Sequence, residues 1–226
     1  MSRTLAIGDI HGCLKALLKL DEELVFGPGD LVITLGDYVD RGPDTKGVIE
    51  YLIQLRERTR LITLRGNHEV IMMTARTRGT DYLASWLGVG GQQTLESYGA
   101  KNWEGVPKAH WQFLMDTQAF FETDTDIFVH AGVNPALPLE QQTETELYWQ
   151  RFNGSEKPHC SGKRMICGHT SQHNGLPHDL GHAVCIDTWA YGQGWLTCLD
   201  TGSNEYWQAD RKGSLRKAAL KKRPQP

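Results

Sequence analysis

The 226-residue sequence lacks any apolar run approaching the roughly 20 residues needed to cross a bilayer, so neither a helical membrane protein nor a membrane partner is expected. Its five cysteines (Cys13, Cys160, Cys167, Cys185, Cys198) are odd in number and contain no C-x2-C pair. A disulfide framework and a structural zinc ribbon are therefore not indicated, and reduced, mostly buried thiols are expected. No internal repeat, linker or low-complexity tract interrupts the chain, and with 39% hydrophobic and 23% charged residues it can bury the core of one domain. The start offers no stretch resembling a signal peptide, since Met-Ser-Arg runs straight into Thr4-Leu5-Ala6-Ile7; a cytoplasmic location is the expectation.

Charge is also scarce in net terms, at −3. It is unevenly spread: residues 211–226 hold seven of the 24 basic residues and no acidic one, leaving 17 against 27, or −10, in the rest. An acidic body repels a polyanion, so nucleic acid is not an expected partner, and the basic tail reads as a frayed, disordered terminus after a single domain over residues 1–210.

What the chain does have is nine histidines and a recurrent pattern of short apolar runs, each ending at a polar motif. Residues 4–7 precede Gly8-Asp9-Ile10-His11-Gly12, residues 31–35 precede Gly36-Asp37-Tyr38-Val39-Asp40-Arg41-Gly42, and residues 61–64 precede Arg65-Gly66-Asn67-His68-Glu69. Residues 127–129 precede His130-Ala131-Gly132, and residues 165–167 precede Gly168-His169-Thr170. Such runs are expected of strands buried on both faces. Helix-period leucines over residues 14–24 and apolar residues over 48–55 lie between the first three, which predicts a parallel sheet with crossovers and all five motifs on its carboxyl edge. Residues 77–106 read as a cap or loop insertion, residues 109–117 as a helix, residues 120–129 as a hairpin and the last third as antiparallel strands.

Asp9 and His11, two apart in an extended strand exit, point the same way and can share one metal ion. Asp37, Asn67, His130 and His169 add further oxygen and nitrogen donors, and six exceed what one tetrahedral site can use. Two divalent ions sharing a bridging carboxylate is the economical reading. Against two carboxylates they leave a charge of about +2, enough to hold a hydroxide and attract phosphate. Imidazole and carboxylate without thiolate favour Mn first, with Fe or Zn as the other choices. His68 is better placed as a proton donor than as a ligand, with Asp40 to orient it and the Arg41 fork to meet phosphate oxygens. Arg65 reads as a brace of its loop, and Cys13 as a helix-packing residue.

Together these five motifs resemble the metallophosphoesterases of the phosphoprotein phosphatase family, in its compact bacterial and phage branch, over residues 4–199. The resemblance implies an α/β fold of two packed mixed β-sheets flanked by α-helices, the calcineurin-like metallophosphoesterase fold. It also implies Asp9, His11 and Asp37 on one metal and Asp37, Asn67, His130 and His169 on the other. His68 would be the general acid with Asp40 as its partner, and Arg41 and Arg151, the latter in Trp149-Gln150-Arg151, would bind phosphate. The implied activity is a serine/threonine protein phosphatase acting on phosphorylated protein or small phosphoesters, by direct attack of a metal-bridging hydroxide on phosphorus. The alternative is a symmetric diadenosine tetraphosphate hydrolase or other nucleotide phosphoesterase; the motifs of the former tend to lack the equivalent of Asp40 and to read Asn-His-Asp, whereas Asp40 and Asn67-His68-Glu69 resemble the protein phosphatases. Two departures stand out: Trp189 occupies a loop position where glycine is common, and His173, His178 and His182 crowd the segment after His169.

Overall fold

The computed structural model describes residues 2–221. Three parallel strands, β1 (Thr4–Ile7), β2 (Leu31–Thr34) and β3 (Arg60–Thr63), begin the first sheet, with Leu5 opposite Val32 and Val32 opposite Leu61. Their crossovers are α1 (Leu14–Leu24) and α2 (Thr45–Leu55), where the helical periodicity places them. In α1 the buried Ala16, Leu17, Leu20 and Leu24 form one stripe, and in α2 the Asp44 carboxylate caps the first turn by accepting the Gly47 N–H at 2.8 Å. On the other side of β1 lies β10 (Trp195–Asp200), antiparallel, followed by β11 (Glu205–Ala209) and β12 (Leu215–Ala219), while the short β9 (Asp187–Thr188) pairs with the start of β10.

The second sheet has the order β4 (Phe120–Glu122), β5 (Asp126–Val129), β6 (Arg164–Cys167), β8 (Ala183–Cys185) and β7 (His178–Asp179). Its three central strands are parallel and its two edge pairings antiparallel. The sheets meet through Ala6, Ile33 and Leu199 of the first against Phe128, Ile166 and Val184 of the second, all fully buried. Helices α1 and α2 cover the first sheet, and α7 (Glu144–Trp149) packs through Leu147 and Tyr148 on the second. The chain is thus one α/β domain of two mixed sheets flanked by helices.

Residues 77–106, legible only as an insertion, are helical. The end of α3 (Asn67–Arg78) leads into α4 (Thr80–Trp86), a π-helical turn at Leu87–Gly91 and α5 (Gln92–Tyr98), and α6 (Lys108–Met115) follows. Buried Trp86 and Leu95 dock this segment on the core of α1 and α2. Two sequence expectations are corrected. The strand expected around residues 184–186, β8, is antiparallel to only one neighbour, β7, and runs parallel to the other, β6; a bare apolar triplet carries no pairing direction. Nor is the basic tail frayed throughout: β12 pairs with β11, placing Lys217 opposite Trp207, and Arg216 donates to Gln208 Oε1 at 2.7 Å and to the Gly175 carbonyl at 2.6 Å. Lysine and arginine are ordinary on an edge strand, so the charge run alone did not separate a strand from a solvated end. The rest of that tail, residues 222–226, lies outside the described residues.

Candidate metal centre

The five polar motifs leave the carboxyl ends of β1, β2, β3, β5 and β6 and converge on one rim. Tight exits are needed to turn the side chains back over that rim. His11, Asp37, Asp40, Arg41 and His169 all take left-handed φ, between 42° and 71°, and they are five of eight such non-glycine residues among those described. Each costs about 1–3 kcal/mol unless its surroundings hold it, so the clustering marks a site under constraint. Glu69 supplies much of the hold. Its buried carboxylate accepts the backbone N–H groups of Asp37, Tyr38 and Gly66 at 2.8 Å each and of Val39 at 3.2 Å, pinning the Asp37–Arg41 loop to the start of α3. Burial, then the charge of Asp37, push its carboxyl up to about 7 against the pull of those donors. Close approach demands glycine at Gly90, whose φ is 119°, whose carbonyl accepts the Arg41 N–H at 3.1 Å, and whose added Cβ would meet that nitrogen at 2.7 Å.

Two clusters of donor atoms form, each with its atoms within 4.8 Å of one another: His11, Asp37 and His68, and Asp37, His130 and His169. Asp37 belongs to both, with Oδ2 3.3 Å from His11 Nε2 and Oδ1 3.5 Å from His130 Nε2. Asn67 Oδ1 stands 2.9 Å from both His130 Nε2 and His169 Nδ1. Asp9 lies outside these clusters and borders them, its carboxylate accepting the His169 N–H at 3.0–3.1 Å. The donor chemistry fits cations. His11 and His130 each give their Nδ1 proton to a backbone carbonyl, Val39 at 2.8 Å and Leu35 at 2.9 Å, which leaves Nε2 with a lone pair facing the centre. For His130 that lone pair faces the Asn67 oxygen 2.9 Å away, two acceptors in contact, an arrangement that a cation held by both would relieve. Two triads sharing a carboxylate indicate a dinuclear metal site.

The electrostatics agree. Burial pushes His169 down to about 4 and, with the same leading cause, lowers His130, which favours the neutral form of both rings, the form that can take a metal ion. Burial also lowers His11, but the hydrogen bond and charge of Asp37 outweigh it and leave that histidine raised. Asp37 is held well below the ordinary carboxylate range although burial opposes this, because His130, His68 and His11 surround it. Asp9 is pushed well up by burial, then by Asp187 and Asp37, a crowding of negative charge that cations would offset.

His68 Nδ1 sits 2.7 Å from Asp40 Oδ2. The other Asp40 oxygen accepts from Trp86 Nε1 and Thr94 Oγ1, both at 2.9 Å, so the helical insertion exists in part to hold this carboxylate. Arg41 places Nη1 3.1 Å from His11 Nε2 and its guanidinium 4.7 Å from the centre of the Tyr191 ring. A cavity of about 400 Å³ opens over the centre, lined by Asp37, Asn67, His68 and Arg41 on one side and by Arg151, Trp149 and Tyr191 on the other. Every sequence-derived site residue but Asp9, His11, Asp40 and His130 lines it or, for His169, shares its wall; those four lie buried beneath. Glu69, Trp86, Thr94 and Tyr191 were not singled out. Only Glu69 had a signal, its place three residues after Gly66, the spacing of a helix-capping carboxylate.

The departures also find places. Trp189 takes φ 65° and stacks on His173 with ring centres 4.4 Å apart and planes 14° apart. His178 packs edge-on against Phe152, His182 Nε2 donates to the Glu156 carbonyl at 2.7 Å, and neither these nor His173 belongs to a donor cluster among the described residues. Arg65 braces its loop, donating to Thr117 Oγ1 at 3.0 Å and the Met115 carbonyl at 2.9 Å. Cys13 is buried in the core, its thiol pushed up to about 12 by burial, as suits packing rather than nucleophilic attack.

Comparison with known proteins fits this geometry. The model of the calcineurin-like phosphoesterase family matches residues 2–194. Serine/threonine-protein phosphatase 1 of Salmonella typhimurium is 43% identical over 86 residues, 38% of this chain and 37% of that protein. The symmetrical bis(5'-nucleosyl)-tetraphosphatase of Pseudomonas fluorescens (strain Pf-5) is 37% identical over 144 residues, 61% of this chain and 45% of that protein. The matched chain thus spans less than half the length of these curated relatives. Among solved structures, a cold-active protein-tyrosine phosphatase of Shewanella matches at TM-score 0.67 and 16% identity, covering 95% of this chain and 80% of that one. A serine/threonine phosphatase of Saccharomyces cerevisiae matches at TM-score 0.64 and 15% identity, with 99% and 81% covered. At these identities the structural matches bear on the fold alone.

Proposed function

We propose that this chain, which belongs to the calcineurin-like phosphoesterase family, is a dinuclear-metal phosphoesterase whose preferred substrates are nucleotides of the symmetric dinucleoside tetraphosphate kind. One observation carries the substrate class. The cavity over the metal centre joins two arginines to an indole, Trp149, that is 42% exposed, and so offers charge for phosphates beside a ring face for a base. The match to the symmetrical tetraphosphatase, longer than that to the protein phosphatase, supports the same reading.

Asp9, His11 and Asp37 would hold one ion, and Asp37, Asn67, His130 and His169 the other. Bound there, divalent ions activate water and polarise the phosphoryl oxygens. Arg41 and Arg151 pair with the equatorial oxygens of the phosphoryl group. His68, with Nδ1 committed to Asp40, presents its remaining nitrogen to the leaving oxygen and protonates it.

That last pair favours a second reading, protein serine/threonine phosphatase. An alkoxide is a poor leaving group and needs a proton donor, whereas a nucleoside diphosphate leaves readily without one. Manganese-loaded protein assayed side by side on diadenosine tetraphosphate, a phosphoserine peptide and p-nitrophenyl phosphate separates the two. A kcat/KM at least tenfold higher for the dinucleotide than for the peptide is expected; the reverse order overturns the nucleotide reading and selects the phosphoprotein.

A further inference from the structure

Arg151 faces two cavities. One is the metal-centre cavity; the other, of about 380 Å³, lies beyond it, with a floor of Val133, Pro135 and Met165 and with Lys157 at its rim. Val133 and Met165 are each only 6% exposed, so the floor belongs to the packed core below it. The wall is built rather than loose. His159 donates Nε2–H to the Leu137 carbonyl at 2.9 Å with Nδ1 2.8 Å from Ser161 Oγ, and His182 ties the Glu156 carbonyl. The carboxylate of Glu156, the one acidic group lining this cavity among the described residues, accepts the backbone N–H groups of Asn153 at 2.7 Å and Gly154 at 3.0 Å. An apolar floor and two cations, with the Glu156 carboxylate held against the backbone, favour a ligand with one flat apolar part and one anionic part.

We propose that this second cavity is a leaving-group subsite, which takes the nucleoside diphosphate half of a two-ended substrate while Arg151 spans the join. Its apolar floor receives the base, and Lys157 with Arg151 receives the phosphates. The inference rests on the nucleotide reading above, and it explains what that reading leaves open: where the half of the substrate that is not over the metals is held. It also gives His159 and His182, surplus to the metal centre, the task of shaping a wall.

The test uses full-length, manganese-loaded protein with saturating inorganic phosphate to fill the metal-centre cavity, and ADP as the titrated probe, followed by calorimetry. Val133→Trp fills the floor and is expected to weaken ADP at least tenfold; Lys157→Ala, at an exposed rim position, is expected to weaken it about threefold to fivefold. Turnover of p-nitrophenyl phosphate, too small to reach the second cavity, is expected to stay within twofold in both. If Val133→Trp fails to fold by circular dichroism, Lys157→Ala alone decides. Wild-type protein that does not bind ADP under these conditions, or variants that bind it unchanged, overturn the subsite. Equal cleavage of diadenosine tetraphosphate by wild type and both variants overturns the subsite and leaves the nucleotide reading standing. Loss of ADP in the variants, with no cleavage of the dinucleotide by wild type, leaves a nucleotide-binding cavity but overturns its role as a leaving-group subsite together with the nucleotide reading.

Discussion

His68 and Asp37 do different work, and substitution should separate them. His68 is fixed by one short contact to Asp40, and a general acid contributes about 10²–10⁴ in rate when the leaving group needs its proton. His68→Asn is therefore expected to lower kcat on a phosphoserine peptide by that range and on diadenosine tetraphosphate by less than tenfold, the two proteins being compared at equal metal content because His68 belongs to one of the donor clusters. An equal loss on both substrates would mean that the histidine acts on the ground state or on the metals rather than on the leaving oxygen. Asp37 is the one carboxylate common to both donor clusters. Asp37→Asn should leave protein with close to no bound metal by elemental analysis, while His169→Ala, confined to one cluster, should retain about one ion. Two ions retained by Asp37→Asn would refute a shared bridging ligand.

At the level of elements, the loops that converge on the candidate site were legible because each follows an apolar run that reads as a buried strand, and a polar group in that place must emerge at the sheet edge. Their supports were not legible. Trp86 and Thr94 reach Asp40 from 46 and 54 residues away, out of an insertion with no motif of its own, and no local pattern encodes such a contact. Likewise the second sheet is assembled from strands of two to four residues whose direction is set by packing against the first. Long-range ties of this kind can be tested at Arg3 and Asp30, which join the start of β1 to the turn before β2 through contacts of 2.9 and 2.6 Å, with Arg3 also donating to the Leu24 carbonyl at the end of α1. The guanidinium lowers the Asp30 carboxyl below its ordinary 3.8. A carboxyl lowered in the folded state contributes stability that is present above the unfolded value and lost as the pH falls through the folded one. Asp30→Asn is thus expected to cost about 1 kcal/mol at pH 7, the modest figure due to the 30% exposure of Arg3, with the gap to wild type closing as the pH falls below 3.8. A gap that persists in acid would assign the loss to packing rather than to charge.

For the molecule as a whole, charge and architecture meet at β12. The acidic body and the basic end look, as composition, like a compact domain with a loose cationic appendage. In the fold the appendage completes the first sheet. Lys217 pairs with Glu205 at 2.8 Å and lies 4.6 Å over Trp207, and Arg216 lies 4.3 Å over Trp195 while bonding Gln208 and the loop at Gly175, so these cations are committed to structure and not free to recruit an acidic partner. Removing residues 215–226 would strip five ladder positions, both ring contacts and the ion pair, and would bare the edge of β11 with Trp207 on it. The expected cost is about 2–3 kcal/mol, which for a domain of this size lowers Tm by about 4–12 °C. The bared edge should also promote self-association visible by size-exclusion chromatography. Metal content and turnover of p-nitrophenyl phosphate should survive at temperatures where the truncated chain stays folded, because β12 lies at the far edge of the sheet from β2 and β3, which carry Asp37 and Asn67. A truncated chain that melts within 1 °C of the full one would instead mean that the basic end contributes nothing to the fold.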